Sequence, residues 1–304
     1  MYEDRKFRYV SLEGCKVLGH GSHGVTYRIN DEQILKVYTD NSKFSTIEKE
    51  RLSAKCAFME GIPSGIAFDT VVTEEGIGVI FEFINGETLG TYMSEHLDQF
   101  DELIDKYVDL LKLFHSADTD ITKFRSSKEV YINNYKHLPE KYFNEAQRQS
   151  LINIISSIPD AKKLVHNDLH PQNIIRSGDG TLMVIDMADV SYGHCIFDLG
   201  SIYTTLAFAG AVSNKICKSI TGLSSKQAKH LWDETLRKYL GTDDKKFLKD
   251  YEKKCAIMRN LSLTMLIATE STVWPPIALR LASIGAKILL INREKKCIKE
   301  LSSL

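Results

Sequence analysis

The chain has 304 residues, of which 43% are hydrophobic and 26% are charged, and its formal net charge is −1. This ordinary globular composition, without internal repeats or low-complexity tracts, argues against a disordered or fibrous protein. The length allows two lobes that share one cleft.

The six cysteines are scattered and form no C-x-x-C pair, so neither a zinc site nor a disulfide framework is predicted. A reducing cytosol is the simplest setting for such a chain. The first six residues lack the apolar core of a signal peptide, and the most apolar windows are too short and too polar to span a bilayer. We therefore expect a cytoplasmic protein that does not bind membranes.

The first predicted hairpin follows a glycine-rich segment, LGHGSHGVTY at 18–27. Its G-x-G-x-x-G consists of Gly19, Gly21 and Gly24. This motif also marks dinucleotide-binding turns, but those turns lie between a strand and a helix. Here 25–29 and 33–38 alternate as two strands around a tight turn. We therefore predict a flap that covers phosphates with its backbone N–H groups.

Lys36 lies between apolar neighbours on the second strand of this hairpin. One hairpin after a glycine loop, such a lysine is predicted to grip the α- and β-phosphates of a nucleotide. A helix predicted at 45–59 carries Glu48 and Glu50, and one of them would pair with Lys36. Glu50 is slightly favoured, although helical phase does not decide; two solvent-exposed glutamates are the alternative.

A strand-like run at 77–84 breaks into Asn-Gly, which suits a hinge near 82–87. Backbone groups of Glu82, Phe83 and Ile84 would bind an adenine edge there. An ordinary edge strand and turn is the alternative. Residues 98–158 then show helical periodicity, and core packing explains their apolar stripe: Leu103, Tyr107, Leu110, Leu111 and Phe114.

The octet HNDLHPQN at 166–173, followed by V-I-D ending at Asp186, is the most informative stretch. Phosphoryl transfer needs a carboxylate that orients the attacking hydroxyl and two oxygen-bearing side chains that hold magnesium. Asp168, Asn173 and Asp186 have this chemistry in this order. Flanking apolar stretches at 164–165 and 182–185 are predicted as short strands that hold both ends of the loop.

Two alternatives for the octet stay open. Its polar residues could simply cap turns in a surface loop. Alternatively, His166, Asp168 and His170 have the spacing of a metal-binding facial triad, although no distal histidine stands out.

The region after residue 195 is predicted as helices at 198–211, 224–240, 244–269 and 274–301. Residues 205–304 contain 18 Lys+Arg and 9 Asp+Glu, which leaves 21 basic and 31 acidic residues in 1–204. Most of these lysines are expected on solvated helix faces. The charge nevertheless argues against a polycationic acceptor and for a neutral or anionic one. Basic residues are not interleaved with a nucleic-acid reader motif, so no nucleic-acid partner is expected.

Together, the octet, Asp186 and the glycine loop resemble the aminoglycoside phosphotransferase and choline kinase branch of the protein-kinase-like fold. The segment IDMADVSYGHCIFDLG at 185–200, with GIP at 61–63 and FINGETL at 83–89, is similar to poorly characterised bacterial aminoglycoside phosphotransferase-like proteins. This resemblance spans about residues 15–205.

The resemblance implies an α+β fold with two lobes: a small antiparallel-sheet lobe with one helix at 1–84 and a larger, mainly helical lobe at 85–304. It also implies an ATP- and Mg2+-dependent kinase. Asp168 would be the catalytic carboxylate, Asn173 and Asp186 the magnesium ligands, and Lys36 the phosphate-binding lysine. Asp198 would brace the catalytic loop from within the core, and His166 would pack and orient it.

Departures from the family pattern limit the kinds of acceptor that are expected. Asn167 stands where the family usually has glycine, and Asp198 lies only twelve positions after Asp186. A peptide-docking activation segment has no room there. A small hydroxyl-bearing acceptor is therefore expected, which His170, Asp189 and Ser191 would touch.

Three functions follow, and the first is preferred over the other two. The first is a small-molecule kinase acting on a sugar, an amino alcohol or a similar metabolite, with an aminoglycoside or other antibiotic as the alternative acceptor. The second is a nucleotide-binding regulator without catalysis, and the third is a protein kinase. No protein partner is evident from the sequence.

Overall fold

The structure, a computed structural model, describes residues 7–21, 24–38, 44–117, 119–267 and 277–304. The chain forms two compact units. Unit 1 comprises Met1–Tyr92 and Asn173–Val190, and unit 2 comprises Met93–Gln172 and Ser191–Leu304. The division into 1–84 and 85–304 stays a prediction.

In chain order the strands are β1 (Arg8–Tyr9), β2 (Lys16–Gly21), β3 (Gly24–Arg28), β4 (Gln33–Tyr38), β5 (Ala67–Thr73), β6 (Gly76–Glu82), β7 (Gly86–Thr88), β8 (Lys163–Val165), β9 (Ile174–Ser177), β10 (Leu182–Val184) and β11 (Ser191–Gly193). The helices are α1 (Phe44–Met59), α2 (Leu89–Glu95), α3 (Phe100–Ser116), α4 (Ser127–Lys136), α5 (Glu145–Ser156), α6 (Ile196–Ile202), α7 (Ala209–Val212), α8 (Asn214–Thr221), α9 (Ser225–Leu240), α10 (Lys245–Leu266), α11 (Ile277–Asn292) and α12 (Glu294–Leu301).

Unit 1 is built on a six-stranded sheet with the order β1-β5-β6-β4-β3-β2. All neighbouring strands are antiparallel except β1 and β5, which are parallel. Because side chains alternate along a strand, β4 presents Leu35 and Val37 to one core cluster. Tyr38, on the opposite face, packs with Ile47 of α1 and Val79 of β6. Helix α1 therefore covers the face of the sheet that also carries Lys36.

A second, three-stranded sheet of unit 1 has the order β10-β9-β7. Strands β9 and β10 form an antiparallel hairpin, in which Val184 lies opposite Ile174. Val184 also donates its N–H to the Pro63 carbonyl at 2.7 Å, which ties the hairpin to the segment between α1 and β5. The hairpin comes from a distant part of the sequence but belongs to the compact body formed by the first 92 residues.

Unit 2 is mainly helical and contains one two-stranded sheet, β11 with β8. The predicted stripe of α3 is buried at all five positions. The predicted helical region 98–158 consists of α3, α4 and α5. The predicted helix 198–211 begins in α6, passes through a π-helical segment, Tyr203–Phe208, and ends in α7. Within the described ranges, no helix is both long enough and apolar enough to cross a lipid bilayer.

Several predicted boundaries differ from the observed ones. Helix α8 was not predicted, and the predicted helix 274–301 is divided at Arg293 into α11 and α12. Its first three residues, and the last two of the predicted helix 244–269, lie outside the described residues.

Candidate active site

Lys36 is the centre of a charged cluster within unit 1. Its Nζ donates to Glu50 Oε1 at 2.7 Å and to Asp186 Oδ1 at 3.1 Å. The side chains of Lys36 and Glu50 are 16% and 5% exposed, whereas that of Asp186 is 36% exposed. The Asp186 carboxylate is thus the part of the cluster that solvent or a ligand reaches most easily.

Electrostatics keep this lysine protonated. Burial lowers the pKa of Lys36, but the charges and hydrogen bonds of Glu50 and Asp186 outweigh that effect, so its pKa is raised. Glu48 has a different partner: its carboxylate binds the Arg51 guanidinium and accepts a hydrogen bond from Thr70 Oγ1 at 2.8 Å. Of the two glutamates considered from the sequence, Glu50 is the one that pairs with Lys36.

Asn173 and Asp186 lie at the open end of the β9–β10 hairpin. Asn173 directly precedes β9, and Ile185 donates its N–H to the Asn173 carbonyl at 2.9 Å. Antiparallel pairing therefore explains how residues thirteen apart in sequence come together. Asp186 has a left-handed backbone with φ 58°, which aspartate tolerates better than most residues. Such conformations concentrate at functional sites.

The glycine-rich segment lies in β2 and β3, and Ser22 and His23 between them fall outside the described residues. A Cβ at Gly24 would lie 1.9 Å from the Val37 carbonyl oxygen, so the sheet itself requires glycine there. A Cβ at Gly19 would meet no atom within 4 Å, and one at Gly21 would be in ordinary contact at 3.7 Å. The protein's own packing thus explains Gly24 but not the other two glycines.

The predicted adenine-binding residues already make contacts within unit 1. The Glu82 N–H donates to the Ile66 carbonyl at 2.9 Å, and the Phe83 N–H donates to the Glu32 carbonyl at 2.7 Å. The Phe83 ring stacks on the Arg28 guanidinium at 4.1 Å. These two N–H groups are therefore not open to a ligand. Ile84, which is partly buried, lies against Gly65.

Asp168 and His170 belong to unit 2 and follow β8. The Asp168 side chain is 46% exposed, and its Oδ2 lies 3.6 Å from His170 Nε2. The Asp168 N–H donates to His166 Nδ1 at 3.2 Å, and Tyr107 Oη donates to the Leu169 carbonyl at 2.6 Å. The loop thus holds an accessible carboxylate on a backbone that is fixed on both sides of it.

Asp198 binds the start of this loop from inside unit 2. It is fully buried, and its carboxylate accepts the backbone N–H groups of His166, at 2.9 Å, and of Asn167. His115 Nε2 lies 3.0 Å from Asp198 Oδ2. Burial raises the pKa of this carboxyl, but the bond to His115 and the neighbouring histidines outweigh it, so the pKa of Asp198 is lowered. A permanent carboxylate therefore holds the loop.

Asn167 keeps the backbone conformation that glycine would allow. Its φ is 68°, in the left-handed region that asparagine tolerates. Its side chain also closes a hydrogen-bonded triangle: Nδ2 donates to Ser191 Oγ at 2.7 Å, and Ser127 Oγ donates to Oδ1 at 3.3 Å. Ser191, suggested from the sequence as an acceptor contact, is buried in this triangle.

The remaining predicted residue is Asp189, which is exposed at the end of the short 3-10 turn Met187–Asp189 in unit 1. Across the described part of the chain, no group of three or more His, Cys, Asp or Glu side chains is arranged to hold a metal ion. His166 is buried, with its ring edge-on to Phe114 at 5.9 Å. The alternative facial triad of His166, Asp168 and His170 therefore gains no support.

Sequence reasoning missed His115 and Ser127. His115 lies four residues after Leu111, so it continues the buried stripe of α3, and this periodicity could have indicated it. Ser127 is the first residue of α4, and nothing in its local pattern signals a contact forty residues away.

Comparisons with known proteins place this geometry in a family. The profile of the phosphotransferase enzyme family, APH, matches residues 14–214, a segment that contains Lys36, Asp168, Asn173, Asp186 and Asp198. Comparison with curated protein sequences gives no significant match.

Among solved structures, the chain is similar to aminoglycoside phosphotransferase APH(2'')-Ib bound to ADP, with TM-score 0.60, 16% identity and coverage of 97% of this chain and 96% of the other. It is also similar to APH(4)-Ia solved with ADP and hygromycin B, with TM-score 0.57, 11% identity and coverage of 94% and 93%. Choline kinase LicA from Streptococcus pneumoniae gives TM-score 0.54, 15% identity and coverage of 96% and 94%.

At these identities the solved structures show the fold alone: a kinase-like α+β architecture with a sheet-based N-terminal lobe and a helical C-terminal lobe. The family profile covers about two thirds of the sequence and carries the family assignment. The chain belongs to the phosphotransferase enzyme family.

Proposed function

We propose that this protein transfers the γ-phosphate of ATP to a hydroxyl group of a small molecule. The observation that carries the proposal is the Lys36 cluster, in which one ammonium holds a buried glutamate and a more exposed aspartate. Phosphotransferases of this fold need such a lysine for the phosphates and such an aspartate for the metal. Family membership and the ADP-bound relatives support ATP as the phosphate donor.

Asp168 is proposed as the group that orients the acceptor hydroxyl and takes its proton. Its carboxylate is accessible, and its loop is fixed by Asp198 and Tyr107. Removal of a proton by a positioned carboxylate contributes about 10²- to 10⁴-fold to such reactions. His170, next to Asp168, and Asp189 are proposed acceptor contacts.

Asn173 and Asp186 are proposed to hold Mg2+. An amide oxygen and a carboxylate at one end of a hairpin are the hard oxygen donors that Mg2+ prefers, so the residues fit the ion. When bound with ATP, the ion would neutralise charge on the phosphate oxygens. Gly19, Gly21 and Gly24 are proposed to lie over the phosphates, and residues 82–84 near the adenine.

The charge distribution supports a metabolite rather than an antibiotic as acceptor. Residues 205–304 carry 18 basic and 9 acidic residues, whereas a polycationic aminoglycoside calls for clustered carboxylates. A neutral or anionic hydroxyl compound fits better. A reducing, cytosolic setting is consistent with the six free cysteines.

The proposal is tested by measuring ATP consumption with a panel of sugars, amino alcohols, other metabolites and antibiotics. Asp168→Ala should lose about 10²- to 10⁴-fold in turnover and still bind Mg-ATP, because it removes the proton acceptor alone. Asp186→Ala should lose metal-dependent nucleotide binding. Full activity in both variants would contradict the assignment. Phosphate incorporation into proteins alone would favour a protein kinase, and Mg-ATP binding without any product would favour a regulator.

A further inference from the structure

Arg259 of α10 lies between two aromatic rings within unit 2. Its guanidinium carbon is 4.5 Å from the centroid of the Phe208 ring and 5.7 Å from that of Tyr203. Both rings belong to the π-helical segment Tyr203–Phe208, and such segments are frequent at functional sites. The rings hold the flat guanidinium in a defined plane through cation–π contact.

The guanidinium uses only part of its hydrogen-bonding capacity. Nε and Nη2 donate to the Asn260 side-chain oxygen at 3.1 and 2.7 Å. An arginine has five N–H donors, so three are left without a hydrogen-bond acceptor among the described residues. Two of those three, one on each terminal nitrogen, form the end of the fork, which matches the two oxygens of a carboxylate or phosphate.

No carboxylate of the described chain forms an ion pair with Arg259, although its side chain is partly buried. Arg237 of the preceding helix α9 provides the contrast, because it pairs with Glu234 at 2.8 Å and Asp243 at 3.0 Å. Burial lowers the pKa of the Arg259 guanidinium; Tyr203 acts in the opposite direction but does not outweigh burial. A partly buried charge is normally paired, so this arginine has the environment of a residue that awaits an anion.

Packing within unit 2 connects Arg259 to the loop of Asp168. Its neighbour Met258 packs so closely on α6 that a Cβ at Gly200 would lie 2.4 Å from the Met258 Cβ. Gly200 is two residues from Asp198, whose carboxylate binds the backbone of His166 and Asn167. The aromatic residues that flank Arg259 follow α6 without a break. The arginine and the loop are therefore fixed on one continuous helical support.

We propose that Arg259 binds an anionic group, a carboxylate or a phosphate, of the hydroxyl-bearing acceptor, an inference that rests on the proposed phosphotransfer function. An acceptor with an acidic group and a free hydroxyl would be held by the guanidinium and presented to Asp168. Tyr203 and Phe208 would shield that contact from water. Polycationic acceptors would be disfavoured at this arginine.

The test compares acceptors of three charge classes in the ATP-consumption assay: hydroxy acids and sugar acids, sugar phosphates and glycerol phosphate, and neutral sugars together with aminoglycosides. Arg259→Gln and Arg259→Lys are compared with Arg237→Gln, a matched control that also removes one guanidinium from unit 2. Arg259→Lys retains the charge and the long stem, and so carries the test should Arg259→Gln fail to fold. Thermal stabilisation by Mg-ATP serves as the control for nucleotide binding.

We expect turnover of an anionic acceptor, and a KM for it that rises about 10- to 100-fold in Arg259→Gln, the loss expected for a charge-assisted bidentate contact. Arg259→Lys should be intermediate, Arg237→Gln should match the wild type, and Mg-ATP should stabilise all variants equally. Comparing turnover of the hydroxy acids with turnover of the sugar phosphates then shows whether the anionic group is a carboxylate or a phosphate.

The inference would be overturned if only neutral or cationic acceptors were phosphorylated. It would also be overturned if neither Arg259→Gln nor Arg237→Gln changed the KM for an anionic acceptor. Either result would leave the proposed phosphotransfer function intact. ATP binding without consumption in any arm would instead remove the proposed function. In that case the binding of the same anionic compounds is measured by thermal shift in the wild type and in Arg259→Gln. The inference about Arg259 is wrong if no compound stabilises the wild type more than the variant.

Discussion

The side chain of Lys36 reaches Glu50 because the alternation of β4 and the helical period of α1 place both residues at the same interface. Strand β4 turns Lys36 and Tyr38 to the face covered by α1. On α1, Glu50 lies three residues after Ile47, which is buried on that same face. Glu48 is directed elsewhere by its bond to Arg51. The two glutamates, only two residues apart, therefore have different partners, and this difference makes a matched pair of variants.

Glu50→Gln should reduce kcat/KM for ATP by about 10- to 100-fold, because it removes the negative charge that pairs with a largely buried ammonium. Glu48→Gln is the control, since its carboxylate does not contact Lys36, and it should leave kcat/KM unchanged within about twofold while weakening the contact with Arg51. Steady-state kinetics at varied ATP measure both. Equal losses in the two variants would contradict the role given to Glu50.

Two substitutions at Asn167 distinguish the contribution of its backbone conformation to stability from that of its side-chain hydrogen bonds. Asn167→Gly should retain the left-handed backbone and lose the side-chain bonds, those to Ser191 and Ser127 among them, at about 1 kcal/mol. Asn167→Ala should cost about 1–2 kcal/mol more, because alanine is strained at φ 68°. Denaturant unfolding gives both values. If alanine proved as stable as glycine here, the strain argument would fail.

For single residues, the sequence predicts which side chains have the chemistry of the site better than it predicts which residues they contact. The residue types and spacings of Asp168, Asn173 and Asp186 can be read directly, because the chemistry of phosphoryl transfer restricts them. The choice of Glu50 is harder, since α1 exposes large apolar residues such as Leu52, Phe58 and Met59 that blur its buried face. Arg259 and Ser127 gain their environments from helices remote in sequence, and no local pattern encodes that.

His194, two residues before helix α6, binds the backbone N–H of the first residue of that helix. Ile196 donates its backbone N–H to His194 Nδ1 at 3.2 Å, which requires this nitrogen to be unprotonated. Burial, and secondly the charge of His115, lower the pKa of His194 to about 4. The helix that carries Asp198 therefore starts from an imidazole that is neutral near pH 7.

This hydrogen bond to His194 predicts acid sensitivity. Because the folded-state pKa of about 4 lies below the value of 6.5 for an unperturbed histidine, the unfolded chain binds a proton first. The contribution of His194 to the free energy of unfolding is fully present above pH 6.5 and is lost as the pH falls from 6.5 towards 4. Between pH 7 and pH 5 the contribution should fall by about 1–2 kcal/mol. His194→Gln should flatten this part of the unfolding profile; an unchanged slope would contradict it.

The bounds of long helices can be predicted from the sequence more readily than those of most short strands. The long helix α1 begins within a residue of its prediction, and α9 matches closely, because the periodic positions of α9 and its Ser224 cap agree. The short strands β7, β9 and β11 have three or four residues each, too few to show alternation, and they were not predicted. The π-helical segment was predicted as ordinary helix, since one inserted residue leaves no compositional signal.

At the scale of the whole molecule, unit 1 is assembled from two parts of the sequence. Strand β7 pairs with β9, Val184 bonds to Pro63, and Asp186 completes the Lys36 cluster, although residues 93–172 intervene between the two parts. Such pairings depend on chain topology, which local patterns do not contain. This is why a division at residue 84 could be predicted from a hinge-like Asn-Gly, but the membership of 173–190 could not.

If unit 1 binds the nucleotide as proposed, both of its parts should respond together. A ligand that binds the folded state suppresses local opening of the cooperative region that holds it. Adding Mg-ADP should therefore slow hydrogen exchange in β4 and in the β9–β10 hairpin by a similar factor. Exchange in α9 of unit 2, with its Arg237 ion pairs, serves as the internal reference and should stay unchanged. Protection of β4 without the hairpin would mean that Asn173 and Asp186 do not take part in nucleotide binding, and the proposed magnesium site would fall.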